Sequence, residues 1–227
     1  MSHRHYTICL LILTGILLGT LIISLGVGAV YLPPDRVLKV LLNSSQGKAD
    51  TTDIAIIRDL RLARVLLATL VGAALATAGA AFQALFRNPL ADPYIIGASS
   101  GASLGATLAI TLGLTWSFAG FGPISLAAFL GALLAVFLVY VIAGNSGKST
   151  VIGMLLAGAA LSTVLSSAVS MLMLISKESI HEIFSWLMGG FSGRSWIQLW
   201  SCSPHLLIGM VFLWFFSRPL DALSCGD

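Results

Sequence analysis

The chain has 227 residues, 57% of them hydrophobic and only 9% charged, against roughly a quarter charged in a soluble domain, and so reads as a membrane protein. A net charge of +3 with no basic run or interleaved aromatic platform excludes a nucleic-acid interface. The three cysteines, Cys9, Cys202 and Cys225, have neither an even count nor metal-ligand spacing, which excludes a disulfide framework or a thiolate metal site.

The first uncharged run, Tyr6 to Leu32, is 27 residues long. Val27-Gly28-Ala29 imitates a signal-peptide cleavage site, but the run far exceeds a signal's apolar region and reads as a membrane span. Next, Pro34, Val37, Leu38, Leu41 and Leu42 keep helical spacing opposite Arg36 and Lys39, predicting an amphipathic helix at the membrane interface. Arg61 and Arg64 follow at i and i+3, close enough to present one positive patch at the mouth of the second span, Val65 to Phe86. On the residues alone, two interfacial anchors account for the pair equally well.

Lipid gives helices no hydrophobic reason to associate, so small residues that permit close backbone contact are the expected packing surface. The second span carries a short ridge of this kind, Gly72, Ala76 and Ala80, and near its end Gln83, read as a helix-to-helix hydrogen bonder. After the turn "FRNPLADP", Asp92 is placed to cap and Pro93 to start a third span sharply. The uncharged run from Pro93 to Gly147 is long enough for two crossings and breaks at "GFGP", with Pro123 starting the fourth span. In the third span Gly97, Gly101, Gly105, Ala109 and Gly113 recur every four residues as a helix-packing ridge.

The stretch "GNSGKST", Gly144 to Thr150, imitates the end of a phosphate-binding loop. Such a loop needs a glycine where Ile142 stands and a strand before it, whereas an apolar helical run precedes it here, so it is read as a polar turn. Thr150 to Ser176 makes the fifth span. Ile180, Ile183, Phe184, Leu187 and Met188 then lie opposite Glu178, His181 and Glu182 as a second interfacial helix, with His181 solvated and no metal site around it. Ser195 to Ser217, containing His205 after Pro204, is the sixth span.

The expected fold is therefore all-α, with six transmembrane helices, two interfacial amphipathic helices and both termini on one side. No Asp, Glu, Lys or Arg lies in any of the six spans. A carrier coupled to protons or sodium usually keeps an ionisable ligand there, so any transport draws its energy from a partner.

The segment "RLARVLLATLVGAALATAGAAFQALFRNPLADPYIIGASSGASLGA", Arg61 to Ala106, closely resembles the FecCD family, the membrane subunits of ABC importers for iron-siderophores, haem and cobalamin. The resemblance continues through "MLLAGAAL" (Met154 to Leu161), "WLMGGFSGRSW" (Trp186 to Trp196) and "SRPLDALSCGD" (Ser217 to Asp227). It implies the first part of a type II importer permease, with residues 1–227 as one transmembrane permease domain that ends before the family's second half. It also implies a second permease subunit, a cytoplasmic ATPase dimer that carries the ATP and magnesium, and an external substrate-binding protein. No catalytic residue or cofactor is expected in this chain.

Carried over by position, Arg61 and Arg64 match the family's arginine pair that docks the binding protein. Asn88 and Leu90 match a cytoplasmic gate, though an Asn-Pro turn is also simply a good turn, and Thr150 and Val151 lie near a second gate segment. Arg218, Pro219, Leu220, Gly226 and Asp227 match the start of the loop that couples to the ATPase. The resemblance places the chain in a bacterial cytoplasmic membrane with its N-terminus inside. The positive-inside rule alone favours the reverse, since four Lys and Arg (Arg4, Arg87, Lys148, Arg218) then lie inside and eight outside. Six of those eight fall between Tyr31 and Arg64, in the company of Asp35, Asp50, Asp53 and Asp59. A scaffold or inactive remnant that pairs with a complete permease is the alternative from another functional class.

Overall fold

The computed structural model describes residues 3–42, 50–117, 121–144 and 151–225. Ten α-helices follow in chain order: α1 (His3–Gly26), α2 (Pro34–Leu42), α3 (Thr51–Ile54), α4 (Ala63–Phe86), α5 (Ala98–Thr111), α6 (Pro123–Gly144), α7 (Val151–Ile175), α8 (Ile180–Met188), α9 (Trp196–Phe215) and α10 (Ser217–Cys225). A π-helix, Ala55–Leu62, joins α3 to α4, and 3₁₀ turns at Pro93–Ile96 and Lys177–Ser179 precede α5 and α8.

Five helices among the described residues are long and apolar enough to cross a membrane: Arg4–Gly26, Thr51–Phe86, Pro123–Gly144, Val151–Ile175 and Trp196–Phe215. The expected third span is built differently. Asp92 does cap its start, accepting from Tyr94 N at 2.8 Å, but what it caps is the 3₁₀ turn, which ends at Gly97 in a left-handed conformation (φ 82°). Only then does α5 begin, and its 14 residues rise about 21 Å, short of a hydrocarbon core of about 30 Å. Pro123 does start the next span, and α6 runs as a helix up to Gly144, where a phosphate loop would need a strand. The remainder of "GNSGKST", Asn145 to Thr150, lies outside the described residues.

The chain divides into two compact units, Met1–Val71 with Phe191–Ser203, and Gly72–Gly190 with Pro204–Asp227. In the first, Leu25, Leu32, Val37, Val40 and Ile57 form a core on which Ile54, Ile56, Leu62 and Val65 pack. The amphipathic helix α2 is present, but its inward face is centred on Val37 and Val40, while Leu38 and Leu42, expected on that face, are exposed. Its cations are paired locally, Arg36 with the buried Asp53 at 3.6 Å and Lys39 with Asp35 at 3.5 Å.

In the second unit α5 packs mainly on α6, and glycines set the approach. A Cβ at Gly101 would collide with the Gly131 carbonyl, one at Gly105 with the Ala127 carbonyl, and one at Gly131 with the Gly101 carbonyl. The expected ridge is thus the contact through Gly101, Gly105 and the buried Ala109, whereas Gly97 and Gly113 (φ 62°) lie at the helix ends as left-handed residues. Gly158 on α7 gives a second close approach, since a Cβ there would strike the Ile95 carbonyl in the 3₁₀ turn. Ser100 to Ser162 at 3.2 Å and Ser176 to Thr111 at 3.3 Å add hydroxyl bonds between α5 and the α7 segment. Phe86, Ala91 and Ile96 form a small core beside this contact. The α4 ridge makes no such contact: nothing lies within 4 Å of a Cβ at Gly72, and Ala76 and Ala80 are exposed. Helix α8 is amphipathic as expected and buries Ile183, while Ile180, Phe184 and Met188 from the same face stay exposed.

Candidate functional site

An α-helix leaves its last carbonyls without intrahelical partners. At the C-terminus of α1 the chain turns back, with Val27 N donating to Ile23 O and Leu32 N to Gly26 O, both at 2.9 Å. The π-helix brings Arg61 against this turn. Its Nη1 donates to Leu25 O at 2.7 Å and to Gly26 O at 2.9 Å, and its Nη2 donates to Val30 O. A cation at the negative end of the α1 dipole is also electrostatically favoured. A Cβ on Gly28 would lie 2.6 Å from Arg61 Nη2, so a larger residue there would push the guanidinium aside.

Arg64, one α-helical turn further on, shares with Arg61 the lining of a half-open hollow of about 470 Å³. Apolar side chains such as Ile56, Leu60, Val65 and Phe191 make up most of its remaining wall, and no acidic residue lines it among those described. The Arg64 Nε is buried with no hydrogen-bond partner among the described residues. Two guanidiniums in an apolar hollow with no internal counter-charge are suited to a carboxylate, which Arg binds through paired N–H donors.

The segment carrying Phe191 is fixed from both sides. Gly189, Gly190 and Gly193 take positive φ before it and after it, and Ser195 N and Oγ both donate to Gln198 Oε1, at 2.9 and 2.7 Å, which starts α9. That start places Trp196, whose Nε1 donates to the Arg58 carbonyl of the π-helix at 3.0 Å.

The other expected site residues do not join this hollow. Asn88 Oδ1 accepts from Leu90 N at 2.9 Å, closing an Asx turn that leaves the Leu90 side chain 83% exposed. Gln83, expected to bond another helix, instead donates from Nε2 to Pro89 O at 2.9 Å and braces that same turn. Val151 starts α7 and is exposed, while Thr150 lies outside the described residues. Arg218, Pro219 and Leu220 lie in the first turn of α10, where Leu220 N donates to Phe216 O at 3.1 Å; Gly226 and Asp227 lie outside the described residues. His205 packs edge-on against Phe121 at 5.1 Å, and His181 is exposed, as expected, at the edge of a shallow apolar hollow with Met173 and Phe184.

The profile of the FecCD transport family matches residues 9–227. The chain belongs to the FecCD family. FecCD relatives include the cobalamin import system permease protein BtuC of Halobacterium salinarum, 39% identical over 80% of this chain and 48% of that protein. Another is the Fe(3+)-citrate import system permease protein YfmE of Bacillus subtilis, 34% identical over 100% of this chain and 65% of that protein. A solved structure of an inward-facing metal-chelate type ABC transporter superposes with a TM-score of 0.78 at 33% identity, covering 96% of this chain and 65% of that one. This FecCD chain therefore spans about half to two thirds of the length of the relatives it matches. Membership makes it a transport-family membrane chain rather than an enzyme.

Some residues that shape the helix contacts or the hollow are not marked in the sequence reading. Ala127, Gly131 and Ala135 repeat every four residues in α6, a signal as plain as the α5 ridge they receive. Gly28 lay inside the imitation cleavage site, and its role depends on a side chain 33 positions away.

Proposed function

We propose that residues 1–227 form part of the permease domain of an ATP-driven importer that carries an iron chelate or cobalamin across a bacterial cytoplasmic membrane. The observation that carries this reading is the family match over residues 9–227, with relatives named for both cargo classes. A second permease subunit would complete the pathway and a separate cytoplasmic ATPase would drive it. The uncharged spans support an external energy source, because the chain supplies no intramembrane carboxylate to bind a coupling ion.

The arginine hollow is the docking point for acidic groups of an external binding protein. Asn88 and Leu90, with Thr150 and Val151, then belong to the cytoplasmic gate, and Arg218, Pro219, Leu220, Gly226 and Asp227 to the ATPase surface. This puts the N-terminus in the cytoplasm.

Uptake of radiolabelled ferric citrate, ferric hydroxamate and cyanocobalamin tests the reading, in cells that lack their own FecCD importers and express this chain from its locus with the flanking genes. ATP-dependent uptake of one of these supports it. Uptake that persists when the ATPase is inactivated overturns it.

A further inference from the structure

We infer that Gly72 and Pro204, with the Gly189 and Gly190 pair, form a hinge at which one compact unit of the chain turns against the other.

The chain passes from one unit to the other at three points, Val71 to Gly72, Gly190 to Phe191 and Ser203 to Pro204. Each carries a residue that weakens regular backbone. Two of the points lie inside the long apolar helices α4 and α9, where an unbroken ladder of hydrogen bonds would otherwise stiffen the chain. Pro204 has no N–H for the Trp200 carbonyl and its ring crowds that carbonyl, so α9 loses a ladder bond at the junction. Just before it, Ser201 Oγ donates to Ile197 O at 2.8 Å and Ser203 Oγ to Leu199 O at 2.5 Å. Such side-chain bonds to the fourth carbonyl back favour bending. Helix α4 repeats the arrangement round Gly72, with Thr69 Oγ1 donating to Val65 O and Thr77 Oγ1 to Ala73 O, both at 2.8 Å.

Close packing does not account for this glycine. A Cβ at Gly101, Gly105 or Gly158 would strike a backbone carbonyl, whereas at Gly72 it would meet nothing within 4 Å. Gly15, Gly19, Gly79 and Gly209 stand in equally open space but fall inside one unit or the other, so the junction is what sets Gly72 apart. At the third point Gly189 (φ 70°) and Gly190 (φ 129°) make a link with no side chains to stiffen it.

The same division sorts the candidate sites. The arginine hollow lies wholly in the first unit, whereas Asn88, Leu90, Val151 and Arg218 lie wholly in the second. The hinge is then the covalent path by which an event at the hollow reaches the proposed gate. That consequence rests on the roles proposed above; the hinge itself does not.

Electron–electron double resonance on the full chain in lipid nanodiscs tests the hinge, with Cys9, Cys202 and Cys225 replaced by serine. Spin labels go on the exposed positions Leu11 and Thr51 of the first unit and Leu112 and Phe137 of the second, as Cys variants taken two at a time. Distance distributions for Leu11 with Phe137 and Thr51 with Leu112 should be about twofold broader than those for Leu11 with Thr51 and Leu112 with Phe137. Gly72→Ala combined with Pro204→Ala, which restores the ladder in both helices, should narrow the first two to the width of the others. Equal widths in the otherwise unaltered chain overturn the hinge without recourse to that variant. Broad distributions that the double variant leaves unchanged overturn its assignment to these residues.

Uptake, measured as above, reads the consequence separately. The double variant should lower it about tenfold at equal amounts of chain in the membrane. Narrowed distances with undiminished uptake overturn the link from hollow to gate and leave the hinge standing.

Discussion

At the scale of single residues, position in the sequence announced the important side chains better than it announced their partners. Arg61 and Arg64 stand out as a cationic pair, and both do reach one hollow. That one of them is tied to three carbonyls between Leu25 and Val30 depends on a fold-back some thirty residues upstream, which no local pattern encodes. Gln83 was legible as polar but not as a brace for its own turn. Trp196 offers a direct check. Trp196→Phe removes the indole donor to Arg58 O and should lower stability by about 1 kcal/mol. A drop in melting temperature in detergent is the expected result; unchanged melting would remove that bond from the account. Gly97→Ala forces an alanine into a left-handed conformation at φ 82° and should cost about 1–2 kcal/mol. Gly72→Ala, where nothing lies within 4 Å of the added methyl and the backbone is helical, is the unstrained control in the same thermal unfolding measurement.

At the scale of elements, uncharged runs located α4, α6, α7 and α9 within a few residues, and α1 except that the run overshoots its end at Gly26 by six residues. It failed where a run was interrupted by conformation rather than by charge. Residues 93–113 read as one continuous span, yet the left-handed Gly97 divides them into a 3₁₀ turn and a short α-helix. The α2 face was also misjudged, since Val40 replaces Leu38 and Leu42 on the buried side. Val37→Asn should therefore destabilise by about 2 kcal/mol by burying an unpaired amide, whereas Leu42→Asn should change stability by less than about 0.5 kcal/mol. Comparable losses from both would restore the face expected from sequence. The α5 to α6 contact makes the strongest claim of this kind. Gly105→Val drives a branched side chain into the Ala127 backbone and should cost at least about 1–3 kcal/mol, measurable as loss of folded chain in a detergent unfolding titration. Full tolerance would show that the two helices can separate without penalty.

At the scale of the whole molecule, the family was readable from motifs spread along the chain, and the match over residues 9–227 places the chain within it. Orientation was not readable in the same way, because the charge count and the family pattern disagree. Thr51→Cys, exposed at the start of α3, settles it in a background with Cys9, Cys202 and Cys225 replaced by serine. Labelling by an impermeant maleimide from outside intact cells is expected; labelling only after lysis reverses the topology. The uncharged interior of the helices has an electrical meaning as well. Moving one elementary charge through a potential of 100 mV is worth about 2.3 kcal/mol. The segments 65–86, 93–113, 123–144, 151–175 and 196–215 hold no Asp, Glu, Lys or Arg, so their rearrangement carries no fixed formal charge from those residue types across the field. The formal charges that could feel a membrane potential are those flanking these segments, such as Arg61, Arg64 and Arg87.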